Sequence, residues 1–304
     1  MLPPLRIGTR GSPLALWQAH HVAALLRPLA GDRPVELVPI QTTGDRIQDV
    51  ALAQIGGDGL FTKEIQRALL AGKADVAVHS LKDLPTLPVE GLVLAAVPPR
   101  GPAGDAFVSL EHRAFNALPP GAVVGTSSLR RRAQLLHRRP DLRLVNVRGN
   151  VETRLRKLEE QGLDALILAQ AGLERLGLGS AITEILDPAW MLPAVGQGAL
   201  GLECRADDAT TLRLLGQLDH APTRQAVLAE RAFLRSLGGG CLVPIGAAGR
   251  VAGPTLSLRG AVLRPDGGER VAGETDGPTA EAEALGQRLA AELLGRGARN
   301  LLTG

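Results

Sequence analysis

Residues Gly121–Leu158 read GAVVGTSSLRRRAQLLHRRPDLRLVNVRGNVETRLRKL. The pattern is a short apolar strand (AVVGT), a helix (SSLRRRAQLL), a second strand (LRLVNV) and a second helix (NVETRLRKLEE). A further apolar run, DALILA, begins at Asp164. Strands alternating with helices point to a parallel, helix-covered sheet. The same stretch holds ten Lys or Arg against two acids, Asp141 and Glu152. Its local charge of +8 lies in a chain whose formal net charge is +3, so the remainder sums to −5. A positive field this concentrated implies a polyanionic partner.

The placement of the arginines narrows that partner. Ser127 or Ser128 is positioned to cap the helix that starts at Leu129, which puts Arg130, Arg131 and Arg132 in its first turn. Cations at that end of a helix are unfavourable by ~0.3–1 kcal/mol each. An anion bound there removes the penalty, because hydroxyls, free backbone N–H groups and guanidinium groups converge on it. RGNVETR repeats the arrangement, with Asn150 as the cap, Arg148 just before it and Arg154 one turn in. A solvated basic face is the ordinary explanation of such a run. Two helix starts of the same kind favour an anion site instead. Arg138, Arg139 and Arg156 have no place in either motif and read as solvated surface.

Working outward, LRIGT (Leu5–Thr9) is a strand, and Ser12-Pro13 opens a helix with a capping serine and a proline in its first turn. VELVPI is the next strand. Gln41–Gly59 forms a long loop ending in glycines, of the kind that is functional when it occurs inside a domain. FTKEIQRALL and ADVAVHS continue the helix–strand alternation, and HSLKDLP follows at His79–Pro85. Ligands of α/β sheets bind beyond the carboxyl ends of the strands, which sets His79, Lys82 and Asp83 at a cleft. A carboxylate among cations there can stabilise developing positive charge and move protons. Taken alone, this motif reads first as an ordinary Lys-Asp loop.

Pro98-Pro99-Arg100-Gly101-Pro102 reads as a hinge, and PAVGQGALGLECR (Pro193–Arg205) as a glycine-rich return. A long helix from Ala221 leads to GGGCLVPIG, then to two or three strands and a last helix, the pattern of a small α+β domain. Three glycines before Cys241 let the chain turn sharply and leave its thiol accessible. Cys204, inside GLEC, reads as a small buried hydrophobe.

Composition sets outer bounds. A chain of 304 residues exceeds one ordinary core, so two or three domains are expected. No apolar run approaches the ~20 residues that span a bilayer, and MLPPLRIGTRGSPLALWQ lacks the plan of a signal peptide. Two cysteines 37 residues apart offer neither a disulfide framework nor a C-x-x-C metal site, and a reducing cytoplasm is the natural setting. Clustered arginine also serves nucleic-acid binders, but aromatic residues make up only 2% of the chain, too few for a base-stacking platform. A cytoplasmic two-domain anion- or solute-binding protein is the other rival; the missing signal sequence argues only against an extracytoplasmic receptor.

TRGSPLALWQA, GLFTKE, ADVAVHSLKDLP, GTSSLRR, RGNVETRL, LPAVGQGALGLECR and GGGCLVPIG stand together in one order. In this the chain resembles the porphobilinogen deaminase (hydroxymethylbilane synthase) family, from Leu5 to the C-terminal helix. The resemblance implies a transferase of tetrapyrrole and haem biosynthesis. It would join four porphobilinogen molecules head to tail into hydroxymethylbilane with release of ammonia, primed on a dipyrromethane cofactor held by a thioether to Cys241. It implies Asp83 as the catalytic residue, stabilising an azafulvenium cation and handling protons. Arg10, Lys82, Ser128, Arg130, Arg131, Arg148 and Arg154 are expected to bind the cofactor and substrate acids. Ser12, Thr126, Ser127, Gly149, Asn150 and Gln197 belong to the same motifs and are expected alongside them, with Arg175 as a further member of the cleft. No metal, nucleic acid or membrane is implied, and the expected protein is a cytoplasmic monomer. One position departs from the pattern: residue 58 is Asp where lysine is expected, so no binding role is carried onto it.

The expected fold is α/β with three domains. Two are periplasmic-binding-protein-like and share a hinged cleft: residues 1–98 with 199–218, and residues 104–194, which carry the arginine cradle. A small α+β domain, 220–304, bears Cys241.

Overall fold

In the computed structural model, the described residues are 2–46, 59–239 and 243–302. Cys241, Asp58 and most of the Gln41–Gly59 loop lie outside them.

The first sheet is built from β1 (Leu5–Thr9), β2 (Val35–Pro39), β3 (Val76–Ser80), β4 (Leu92–Ala96) and β10 (Leu200–Arg205), in the order β2-β1-β3-β10-β4. The second contains β5 (Asp105–Val108), β6 (Val123–Gly125), β7 (Arg143–Val145), β8 (Ala165–Ala169) and β9 (Glu184–Ile185), in the order β7-β6-β8-β5-β9. Both sheets therefore follow one plan. Three strands on one side of each are parallel, while β10 in the first and β5 in the second run antiparallel to both neighbours. The expectation of wholly parallel sheets is corrected here. Both antiparallel strands begin where the chain has just crossed from the other sheet, so they enter from the opposite direction.

The two crossings lie side by side. Gly101 N donates to Gly198 O at 3.1 Å, and Arg175 Nη2 donates to the same carbonyl at 2.6 Å. Gly198 has φ +84°, and a Cβ there would meet Gly101 O at 2.5 Å. Only glycine lets the two segments approach this closely.

The third sheet is an antiparallel meander of β11 (Ile245–Ala252), β12 (Thr255–Leu263) and β13 (Arg270–Pro278). The helices Ala221–Ser236 and Ala282–Gly295 cover it through a core including Phe233, Leu258, Leu285 and Leu289, all fully buried. Arg100 ties this unit to the crossing: its Nη1 donates to Glu230 Oε1 at 2.6 Å, and its Nε to Gln197 O at 2.8 Å. No helix among the described residues is long and apolar enough to cross a membrane.

Candidate active site

Three helix starts face one cavity of about 840 Å³ between the two five-stranded sheets. The helix Pro13–Leu26 is capped by Ser12, whose Oγ accepts from Ala15 N at 3.4 Å. Ser128 Oγ accepts from Arg131 N at 3.4 Å to cap Leu129–Arg138, and Asn150 Oδ1 accepts from Thr153 N at 2.8 Å to cap Val151–Glu160. Ser12, Ser128 and Asn150 all line the cavity, so three positive helix ends meet there. Ser127, the other candidate cap, also lines it but donates to Val147 O at 2.9 Å.

Six cations line the same space: Arg10, Lys82, Arg130, Arg131, Arg148 and Arg154. Among the described residues the lining carboxylates are Asp83 and Glu152. Asp83 ends the short 3₁₀ turn Leu81–Asp83 that follows β3, the topological position expected of it. Gly149 and Gln197 complete the predicted residues that line the cavity.

The arginines divide by their partners. Arg130 and Arg131, both at least 95% buried, turn inward onto Asp105, which has no exposed surface. Arg130 donates from Nη1 to Asp105 Oδ2 at 2.6 Å, and Arg131 from Nη2 to Oδ1 at 2.7 Å. Backbone carbonyls take further donors, Ile167 O from Arg131 at 2.9 Å and Leu192 O from Arg130 at 2.5 Å. Gln197 Nε2 joins the cluster at 3.0 Å from Asp105 Oδ1. Arg154 Nε donates to Gly149 O at 2.8 Å. Arg148 differs: its Nη1 is buried with no partner. Arg10 lies 4.0 Å over the ring of Phe61, another lining residue.

Charge is held here under strain. Burial alone would raise the Asp105 carboxyl, but Arg130 and Arg131 outweigh it and hold the group well below the usual carboxylate range. Lys82, half-buried by surface area, is packed deeply enough that burial lowers its ammonium to about 8; Arg131 and Arg130 lower it further, against Asp83 and Asp105. Arg154 is brought to about 10 by burial, then by Arg131 and Arg148. Cations disfavoured by their own surroundings mark a site completed by added negative charge.

Three expectations are placed elsewhere. Arg132 turns away from the helix start and donates to Leu144 O at 3.0 Å, so the arginine triplet does not converge on one point. Thr126 is buried behind the cavity, where its Oγ1 accepts from Ser128 N at 3.3 Å. Arg175 braces the crossing at Gly198 and lies 5.6 Å from the Trp17 ring. Of the arginines read as surface, Arg138 and Arg156 are exposed, whereas Arg139 is half-buried and bonded to Asp141 at 2.7 Å. Asp105 was not singled out by motif. Its signal was an acid opening the otherwise apolar strand DAFV, since a buried carboxylate requires partners.

The donor set suits a pyrrole-borne polycarboxylate such as the dipyrromethane. Arg148 offers a buried, unused donor, the helix starts offer N–H groups, and the volume falls within the ~300–1,000 Å³ typical of small-molecule sites.

Comparison with known proteins gives the same answer. Residues 5–213 match the model of "Porphobilinogen deaminase, dipyromethane cofactor binding domain", and residues 224–295 match "Porphobilinogen deaminase, C-terminal domain". The porphobilinogen deaminase of Syntrophotalea carbinolica is 55% identical over 298 residues, covering 98% of this chain and 95% of the relative. That of Pelobacter propionicus is 54% identical over 303 residues, covering 99% and 97%. Among solved structures, a periplasmic substrate-binding protein of an ABC transporter from Coxiella burnetii aligns at 16% identity and TM-score 0.45, over 74% of this chain and 94% of that one; a likeness this slight carries no functional weight. The chain belongs to the porphobilinogen deaminase family.

Proposed function

We propose that the cavity is where this enzyme condenses four porphobilinogen molecules into hydroxymethylbilane, releasing ammonia at each step, and that Asp83 carries the chemistry. The observation that supports this assignment is Asp83, at the carboxyl end of β3, set with six cations and one other carboxylate, Glu152, in a single cavity. Each porphobilinogen brings two carboxylates, which Arg148, Arg154, Arg10 and Lys82 would take, with N–H groups of the three helix starts. The dipyrromethane, when bound, supplies a pyrrole anchored to the chain, to which the first substrate is joined. We assign its attachment to Cys241; Val243, two residues on, lines the cavity.

Asp83 opposes the positive charge that develops on the substrate pyrrole as its amine leaves. Its carboxylate then takes the proton lost from the ring carbon. Arg130 and Arg131, anchored on Asp105, keep the cavity wall positive and fixed in orientation. Phe61 and Leu168 supply apolar surface. The chain is further proposed to act as a cytoplasmic monomer, divided into the three domains outlined above.

The test is the intact mass and turnover of the purified protein. A mass exceeding the sequence by a dipyrromethane, lost in Cys241→Ser, is expected, together with ammonia release from porphobilinogen. Asp83→Ala should keep the mass and the fold and lose turnover by about 10²-fold or more. An unmodified chain with full activity, or a brisk Asp83→Ala, would overturn the assignment.

A further inference from the structure

A second cavity, of about 90 Å³, adjoins the first and shares Asp83, Lys82 and Arg10 with it. Gln18, Thr62, His79 and Ser80 form its polar wall. Gln18 and Ser80 satisfy each other at 2.8 Å. Thr62 Oγ1 is buried and has no partner. A polar chamber of this size with an unsatisfied hydroxyl is a place for a few ordered waters.

His79 is the titratable group of that wall to which the reaction above gives no role. It sits on β3 four residues before Asp83 and is 4% exposed. Its Nε2 lies 2.9 Å from Glu203 Oε2, within ion-pair distance but off the line of a hydrogen bond. Glu203, 6% exposed, receives Gln66 Nε2 at 3.0 Å. An apolar pair of similar volume is often as stable as such a buried polar pair, so a gain in stability does not account for it.

We propose that His79 is a proton-positioning residue for Asp83, exchanging protons with its carboxylate through water in the small chamber, with Glu203 stabilising the charged imidazole. The inference rests on the role of Asp83 proposed above. When a ring carbon gives up its proton, the Asp83 carboxylate takes it. A chamber water accepts that proton and passes one of its own to His79, so Asp83 returns to carboxylate and the imidazole becomes imidazolium. The reverse transfer protonates Asp83 again, ready to supply the departing ammonia. Only O–H and N–H bonds form and break, and no co-reactant is consumed. The charged groups around this path are Arg10, Lys82, Asp83 and Glu203.

The experiment is ¹⁵N-imidazole NMR of the holoenzyme between about pH 5 and 9, for the wild type and Asp83→Asn. A His79 signal that titrates, with a midpoint that falls when the Asp83 charge is removed, is expected. A midpoint indifferent to Asp83→Asn, or no titration at all, overturns the proposal. This arm reads the coupling without turnover, so it stands or falls separately from the reaction. Kinetics form the second arm: His79→Gln and Glu203→Gln should lower kcat about 10-fold or more, leave KM within about twofold and displace the pH profile of kcat. Folded variants with wild-type kcat and profile would overturn it, and Glu203→Gln carries this arm if His79→Gln fails to fold.

Discussion

Asp105 and Arg130 form a bidentate pair with almost no access to water: Nη1 to Oδ2 is 2.6 Å, Nη2 to Oδ1 is 3.2 Å, and the residues are 0% and 4% exposed. Arg131 and Gln197 converge on the same carboxylate. Two of the six cations that line the cavity are thus fixed by a buried anion behind its wall, which offsets part of their mutual repulsion.

Asp105→Asn should therefore cost about 3–5 kcal/mol of stability, because it leaves two guanidinium groups buried without their counter-charge. Its pH dependence has a definite sign. The folded carboxyl is depressed, so its contribution is complete above the unfolded value near 3.9 and is lost as pH falls from there toward the folded value. Urea midpoints of the two proteins should differ at neutral pH and draw together near pH 3. A gap of the same size at both would remove the ion pair as its cause.

Lys82 titrates near the working range. Burial lowers it to about 8, so its charge is present below that pH and fades above it. Its hold on substrate carboxylates should weaken accordingly, and KM for porphobilinogen should rise through pH 8. Lys82→Arg should hold KM flat over the same range, because a guanidinium keeps its proton. Stability moves the other way: between about 8 and about 10.4 the folded chain binds fewer protons than the unfolded one, so the Lys82 contribution improves as pH rises. Parallel KM curves for the two proteins would exclude Lys82 from carboxylate binding.

What the sequence makes legible follows from the range of each interaction. Ser12, Ser128 and Asn150 cap the helices beginning within a residue of them, and this local chemistry is plain in the order of residues. Strand periodicity is equally local. Asp105 finds Arg130 and Arg131 only because β5 lies beside β8 and near the Leu129–Arg138 helix, a relationship spanning 25 residues that no spacing encodes. The antiparallel entry of β10 depends in the same way on where the crossings lie. Arg132 follows two inward-facing arginines but occupies another face of the helix, where Leu144 O awaits it.

Gly198→Ala tests the crossing. The residue adopts φ +84°, and a methyl group would lie 2.5 Å from Gly101 O and 2.6 Å from Pro102 O. Backbone strain alone is worth roughly 1–3 kcal/mol, and the contact with two carbonyls adds to it. Denaturation should show the loss. KM should rise with it, since Gly101 and Gly198 hold together the two segments that position Gln197 against Asp105. Unchanged stability would mean that the segments separate easily, and the crossing would then have no part in fixing the cavity.

Arg148 and Arg131 should respond to the same substitution in opposite ways, which separates binding from support. Arg131 is committed to Asp105 and to Ile167 O, so Arg131→Gln breaks a buried pair and should cost about 3–5 kcal/mol. Arg148 holds a buried Nη1 without a partner, so Arg148→Gln removes an unmet donor and should leave stability unchanged or slightly higher. Ligand binding reverses the order of interest. A charge-assisted hydrogen bond is worth about 1.5–3 kcal/mol, so Arg148→Gln should weaken carboxylate binding roughly 10- to 150-fold in a protein of full stability. Urea denaturation in a Cys241→Ser background, paired with KM for porphobilinogen in the otherwise native enzyme, reads both quantities. Equal destabilisation by the two substitutions would show that Arg148, like Arg131, is a structural group and not a binding one.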